Sequence, residues 1–456
     1  MKLYKLSLIV ALAGFLFGFD TVVISGAEQQ LQALWKTSDF MHGFLVTSMA
    51  LWGTVLGSIF GNKPCDKYGR KTTLIWIGVL YFVSAFGSAL AFDPYSFAIF
   101  RFIGGIGVGV STIAAPAYVS EISSPNNRGR LVALYQFNIV FGILMAFMSN
   151  YLLRDFGSQP WRWMVGVEAI PAFIYTVLIF FIPRSPRWLL VNRTNDTHAN
   201  DIMESISGIR FTSKEIKEIK EEAETDNKNV NIFSNKYRTS VILVFLIAFF
   251  NQFSGINAIL YYAPRIFELA GLGVQTSLLS SIGIGVVNLI FTLLGLVFID
   301  KIGRKKLMLI GSIGYIISLS TVAYAFIFEL SGLIIPIFLF VFIASHAIGQ
   351  GAVIWVFIAE IFPNKIRAKG QAFGSSTHWV LAAIITFLMP PLLNTFSNPG
   401  YVFVFFALMM VLQLLYVLFM MPETKGVPLE EIYKKLYKKD DVMSFKTKII
   451  NQTNNN

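Results

Sequence analysis

Runs of about 20 apolar residues, each long enough to cross the hydrocarbon core of a bilayer as a helix, recur along this chain and leave few ways to fold it. In hydrocarbon every backbone N–H and C=O must be bonded within the structure, so only helices and closed barrels span. The runs lie near 6–27, 42–62, 72–92, 96–120, 129–152 and 162–183, then near 239–264, 276–299, 306–329, 333–359, 369–394 and 399–421. They predict an all-α membrane protein with twelve transmembrane helices, numbered here as spans one to twelve. Composition agrees: 55% of the 456 residues are hydrophobic and 14% are charged, against about 25% charged in soluble domains. The first run is too long for a signal-peptide core and lacks a small-residue cleavage pattern, so it reads as a retained span.

The loops set the expected orientation. Lys63, Lys67, Arg70 and Lys71 follow span two, Arg128 and Arg130 follow span four, Lys301, Arg304, Lys305 and Lys306 follow span eight, and Lys365, Arg367 and Lys369 follow span ten. The alternate loops carry little more than Lys36, Arg154, Arg162 and Arg265. The positive-inside bias then puts both termini in the cytoplasm of a multi-pass cell-membrane protein. The net charge of +11 is accounted for by these loops and the tails, so it gives no reason to expect nucleic acid. The single cysteine, Cys65, rules out an intramolecular disulfide and fits a reducing compartment.

The two halves repeat. CDKYGRK at 65–71 recurs as IDKIGRK at 299–305, EISSPNNRGR at 121–130 recurs loosely as EIFPNKIRAK at 360–369, and IPRSPR at 182–187 answers MPETKG at 421–426. The expected domains are a six-helix bundle over 1–188, a helical cytoplasmic linker over 189–238, a second six-helix bundle over 239–422 and a cytoplasmic tail over 423–456. SKEIKEIKEEAETD has the spacing of an amphipathic linker helix, LEEIYKKLYKK reads likewise, and the closing NQTNNN reads as disordered. Related bundles imply a passage between them that opens by rocking one against the other.

Within this apolar frame Asp20 stands out. A carboxylate near the middle of a membrane helix costs about 2.5–3.5 kcal/mol on insertion scales, and such residues mark ion or substrate pathways. The other reading is a helix that ends near Phe19 and leaves Asp20 in water. Arg101, opening RFIGGIGVGV in span four, is the candidate partner; it could instead snorkel to the interface. The glycines of that stretch lie in an apolar run, which points to close helix packing. No Walker-type GxxxxGK[ST] is present, and four His with one Cys form no recognisable metal cluster or nucleophile triad, so neither an ATP pump, an enzyme, a metal site nor a cofactor is expected.

RFIGGIGVGV at 101–110, YVSEISSPNNRGRL at 118–131, IPRSPRWLL at 182–190, NQFSGINAILYYAP at 251–264, DKIGRKKL at 300–307 and MPETKGVPLEEI at 421–432 resemble, in this order, the sugar porter family of the major facilitator superfamily. The resemblance runs to about residue 432. It implies a monosaccharide site in which Gln136, Gln252, Asn257 and Asn288 bind hydroxyls, with Asn251 beside them. Trp355, Trp379 and nearby Phe17 would form an aromatic floor, and Tyr261 and Tyr262 an external gate. Amides suit this task because they both donate and accept without the desolvation cost of a charge. Taken singly, each amide has a second reading as interhelical glue, and each Trp as core packing. The resemblance further implies that Asp20 and Arg101 pair for proton coupling, since facilitative members carry a neutral Asn at the Asp20 position. It also implies that Asp66, Arg70, Glu121, Arg128, Arg304, Glu360 and Arg367 form cytoplasmic salt bridges between the bundles.

Three places depart from the family pattern. Asn251 replaces the first of two Gln, His378 replaces an amide before Trp379, and Gly-Pro-x-Pro-Trp reads as Gly351-Ala352-Val353-Ile354-Trp355. Without proline, a break in span ten lacks its usual cause. The expected function is secondary active uptake of a pentose or hexose with a proton, by a monomer in the bilayer; an uncoupled sugar uniporter and a non-transporting sugar sensor are the alternatives.

Overall fold

The computed structural model describes residues 2–192, 196–225, 231–330, 332–363 and 366–427, with residues 431, 432 and 436. Eleven helices are long and apolar enough to span, and one bent pair makes a twelfth: Lys2–Gly26, Asp39–Thr47 with Met49–Phe60, Arg70–Leu90, Pro94–Ile122, Gly129–Leu153, Pro160–Phe180, Asn235–Tyr261, Val274–Ile302, Arg304–Ile327, Ile334–Glu360, Arg367–Thr395 and Gly400–Phe419. Each coincides with one expected apolar run. The bend in span two is 44° and follows a wider π-type turn at Gly43–Thr47, one of the recognised causes of a kink.

The packing repeats with a period of six spans. Span one lies on five, two on four, three on four and six; span seven lies on eleven, eight on ten, nine on ten and twelve. The halves meet through five against eight and two against eleven, with span one touching span seven. The glycines of span four serve this packing. A Cβ at Gly105 would sit 1.8 Å from the backbone oxygen of Ala50 on span two, and one at Gly109 would sit 2.3 Å from that of Thr54. Only a missing side chain lets the backbones approach so closely.

Span seven is broken by Gly255, at φ +86°, between Arg238–Phe253 and Ile256–Tyr261. Span ten is broken too, which corrects the expectation from its missing prolines. Its helices are Ile334–Ile348 and Gln350–Glu360, and Gly349 between them lies at φ −83°, ψ −99°. The break falls at a glycine that packs closely on span nine: a Cβ at Gly349 would be 3.0 Å from the Gly311 Cα.

The polar stretch after span six forms helices Pro186–Asn192, Asp196–Ser207 and Ser213–Thr225. Trp188, Leu189, Leu190 and Ala199 make a small core of their own, and the Trp188 indole donates to the Asp66 backbone oxygen at 2.8 Å. The linker is thus tied to the loop after span two. The helix expected across LEEIYKKLYKK and the tail NQTNNN lie largely or wholly outside the described residues.

Candidate functional site

Asp20 lies in the last turn of a helix that runs unbroken to Val23, and it is 2% exposed. The alternative that places it in water is thereby excluded. Arg101, 1% exposed, donates through Nη1 to Asp20 Oδ1 and through Nη2 to the Asp20 backbone oxygen at 2.9 Å. It does not snorkel. Glu168, 1% exposed between the two helical pieces of span six, interacts with both Asp20 and Arg101. With all three ionised, this buried cluster carries one net negative charge, which a single proton cancels. The Tyr261 side chain, 1% exposed, lies in the field of Arg101 and Asp20.

A second cluster of amides and rings surrounds span seven. Gln252 Nε2 donates to Asn251 Oδ1 at 3.0 Å and faces the His378 ring at 3.2 Å, while Gln252 Oε1 accepts from Asn257 Nδ2 at 2.8 Å. The His378 ring centre lies 5.0 Å from Trp355 and 4.7 Å from Trp379, and the Trp379 ring meets Phe17 of the first half edge-on at 5.6 Å. Seven of the nine expected substrate residues therefore form one connected group reaching from one half to the other. Trp355 is 38% exposed, which leaves an aromatic face available. Asn288 accepts from Thr292 in its own span at 3.4 Å, and Gln136 is half-buried on span five. Neither shares a hydrogen bond with the group among the described residues, although their two spans pack together.

The face carrying the basic loops is organised within each half. Arg70 pairs with Asp66 at 3.2 Å and with Glu121 at 2.9 Å, and Glu121 also accepts from Ser185 of IPRSPR. Arg304 pairs with Asp300 at 3.0 Å and with Glu360 at 2.9 Å, and Glu360 accepts from Thr424 of MPETKG at 2.6 Å. Glu423 caps the start of span nine, accepting from the Arg304 and Lys305 backbone N–H groups at 3.0 and 3.1 Å, where a carboxylate meets the positive end of the helix. For Asp66, Arg70, Glu121, Arg304 and Glu360, the expected bridges between bundles are thus found inside them. Arg367 is half-buried at the start of span eleven. The side chain of Arg128 lies outside the described residues.

The opposite face is where the halves are bonded together. Tyr262 of span seven hydrogen-bonds Thr47 of span two at 2.6 Å and donates to the Thr386 backbone oxygen at 3.0 Å. Glu28, fully buried just past span one, pairs with Arg265 just past span seven at 3.0 Å and with His42 at 3.0 Å. Gln29 donates to Glu268 at 3.1 Å, and Phe387 of span eleven packs edge-on against Phe40 at 4.7 Å.

Glu168, Glu28 and His42 were not singled out in the sequence. Glu168 carries the same signal as Asp20, an acid inside an apolar run. Glu28 and His42 sit at span ends, where charge is ordinary.

Residues 6–436 match the family described as sugar (and other) transporter. The D-xylose-proton symporter of Escherichia coli (strain K12) is 32% identical over 468 residues, covering 94% of this chain and 95% of that protein. The arabinose-proton symporter of Bacillus subtilis (strain 168) is 34% identical over 439 residues, covering 94% of each. Among solved structures, the partially occluded inward open conformation of the xylose transporter XylE from E. coli superposes with a TM-score of 0.83 at 31% identity, covering 94% of this chain and 99% of that one.

Proposed function

The chain belongs to the sugar transporter family, and on that premise we propose that it carries a monosaccharide, a pentose or hexose, into the cell together with a proton by alternating access. Sugar hydroxyls bond to Gln136, Gln252, Asn257 and Asn288, with Asn251 and His378 alongside, and an apolar face of the ring lies on Trp355 and Trp379 beside Phe17. One buried acid–base cluster, Asp20 with Arg101 and Glu168, is the proton site. The observation that carries this reading is the adjacency of the two clusters: Phe17 lies three residues before Asp20 and touches the aromatic group, and Tyr261 of the sugar-side span lies in the field of Arg101.

The sequence of events follows from charge. While Asp20 is ionised it holds Arg101 and ties span one to span four. A proton removes that hold, Arg101 turns to Glu168, and the cluster becomes neutral. A neutral core crosses between states without carrying an uncompensated buried charge, whose cost is several kcal/mol. Sugar bound against spans seven, ten and eleven completes the second half, and the bundles rock together.

The basic loops face the cytoplasm, both termini with them. On that orientation Tyr262–Thr47 and Glu28–Arg265 close the outer mouth, and the arrangement is inward-facing, in keeping with the inward open conformation named for the similar xylose transporter. Asp66, Arg70, Glu121, Arg128, Arg304, Glu360 and Arg367 close the cytoplasmic mouth in the opposite state by exchanging their present partners for ones in the other bundle. The domain boundaries are those set out from the sequence, and one chain in the bilayer suffices. Reconstituted protein tested against a panel of labelled sugars, with and without an imposed pH gradient, decides the matter. Uptake driven uphill by the gradient supports the reading; uptake blind to the gradient and to a protonophore makes the protein a uniporter, and no uptake of any monosaccharide ends the proposal.

A further inference from the structure

The second half contains a line of buried side-chain amides that none of the steps above uses. Gln350, Gln413 and Ser312 are fully buried on spans ten, twelve and nine. The Ser312 hydroxyl donates to the Met308 backbone oxygen at 2.7 Å, so its oxygen is left to accept. Gln413 Nε2 donates to it at 2.8 Å, and Gln413 Oε1 accepts from Gln350 Nε2 at 2.9 Å. Gln350 Oε1 accepts from Asn251 Nδ2 at 3.4 Å. From there the line continues in the same sense through Gln252 to Asn257, at 3.0 and 2.8 Å.

Every donor in this line points the same way. Turning one amide over would set N–H against N–H or oxygen against oxygen in a place water does not reach, so the sense fixed at Ser312 propagates to the sugar side. The break at Gly349 makes this possible, because it opens the second helix of span ten on Gln350 and turns that side chain toward span seven, where Nε2 also meets the Ile247 backbone oxygen at 3.4 Å. Asn251 is shorter than the Gln that the family pattern has there, and Gln350 supplies the reach from the other side.

We propose that Gln350 and Gln413 are positioning residues for sugar selectivity: with Ser312 they form a one-way amide relay that holds Asn251 and Gln252 in a fixed donor–acceptor orientation. The inference rests on the reading of the span-seven amides as a monosaccharide site. Epimers differ in where one hydroxyl points. A site built of hydrogen-bonding groups rejects the wrong one strongly only when those groups cannot turn to meet it. Loosening the relay therefore relaxes the choice between epimers more than it slows the bundles.

The test is uptake by proteoliposomes bearing the full chain as wild type, Gln350→Met, Gln413→Met or Ser312→Ala, with KM and maximal rate measured for aldopentoses and aldohexoses that include epimer pairs. Met fills the Gln volume without a hydrogen bond. In Gln350→Met, KM for the preferred sugar rises about tenfold, equivalent to about 1.4 kcal/mol, the maximal rate is retained, and the preference over the disfavoured epimer shrinks. Gln413→Met and Ser312→Ala show the same pattern more weakly; they lie one and two bonds further from the sugar, and they carry the test if Gln350→Met does not insert. Unchanged KM and unchanged epimer preference overturn the relay, and so does a fall in maximal rate alone. Failure of the wild type to take up any sugar defeats the underlying reading instead.

Discussion

Replacing Asp20 with Asn separates sugar movement from proton movement, and the charge count in the first half says by how much. In the wild-type cluster two carboxylates face one guanidinium, and one proton brings the net charge to zero. In Asp20→Asn, Glu168 and Arg101 cancel already and the cluster gains nothing from a proton. The variant should also fold. Leaving a buried charge with no partner costs about 3–5 kcal/mol, but Arg101 stays in the field of Glu168, whose two carboxylate oxygens have no hydrogen-bond partner among the described residues, and its bond to the Asp20 backbone oxygen, at 2.9 Å, does not depend on the side chain. At about 100 mV, inside negative, one charge carried with each sugar contributes about 2.3 kcal/mol, which at about 1.4 kcal/mol per tenfold sustains an accumulation ratio of about 40. The assay is labelled-sugar accumulation in proteoliposomes under a potassium diffusion potential, beside exchange of labelled for unlabelled sugar at zero potential. Wild type accumulates; Asp20→Asn equilibrates to a ratio of about one, as an uncoupled carrier must, while exchange continues. Accumulation by Asp20→Asn near the wild-type ratio refutes the reasoning.

Four further outcomes are expected. Glu168→Gln also leaves a neutral cluster, Asp20 with Arg101, so it loses accumulation and keeps exchange; full coupling in that variant would place the proton on Asp20 without help from Glu168. Arg265→Gln removes the charge that ties Glu28 across the halves, and hydrogen bonds between charged groups contribute about 1.5–3 kcal/mol, so the population with an open outer mouth rises at least tenfold, read as labelling of an engineered outer-cavity cysteine in a Cys65→Ser background. Burial pushes the Cys65 thiol up to about 11, so at pH 7.5 it is protonated and its alkylation is slower by about two orders of magnitude than that of a thiol near 8.5; reaction speeds up as pH rises toward 11 or on unfolding, and fast labelling of the folded protein at pH 7.5 contradicts the packing. Asn257→Ala removes both an amide proposed to face the sugar and the bond to Gln252 at 2.8 Å, and sugar affinity measured by thermal shift or isothermal titration falls about tenfold or more.

What the sequence made legible follows from which forces act along the chain and which act between helices. The twelve spans were readable because hydrocarbon thickness fixes segment length, and the repeat of CDKYGRK as IDKIGRK was readable because it is local. Asp66–Arg70 and Asp300–Arg304, each one helical turn apart, are equally local, yet the sequence reading looked for bridges between the bundles instead. Glu168 obeys the rule that exposed Asp20, yet it stands among the Trp and Arg of PWRWMVGVEAIP, where a span entrance hides an acid. The break in span ten was not legible because proline is a cause visible in one residue, whereas a glycine such as Gly349, where the break falls, permits a break without announcing one. The amide relay through Gln350, Gln413 and Ser312 had no signal of its own: each residue reads as a lone polar group, and only the rotation of four helices about their axes brings them into line. Asp66, Arg70, Glu121, Arg304 and Glu360 were expected to bridge the halves and pair within them instead, because on this face Glu121 and Glu360 each have an arginine of their own half within reach.

The central claim is that sugar and proton move together through Asp20. The most direct measurement is the lumenal pH of proteoliposomes containing wild-type protein, followed with an entrapped dye while an unlabelled transported sugar is added outside under an inside-negative potential. The account predicts acidification of the lumen that starts with sugar addition, scales with sugar uptake and vanishes in Asp20→Asn. Sugar entry into wild-type vesicles at full rate with no movement of protons would contradict it.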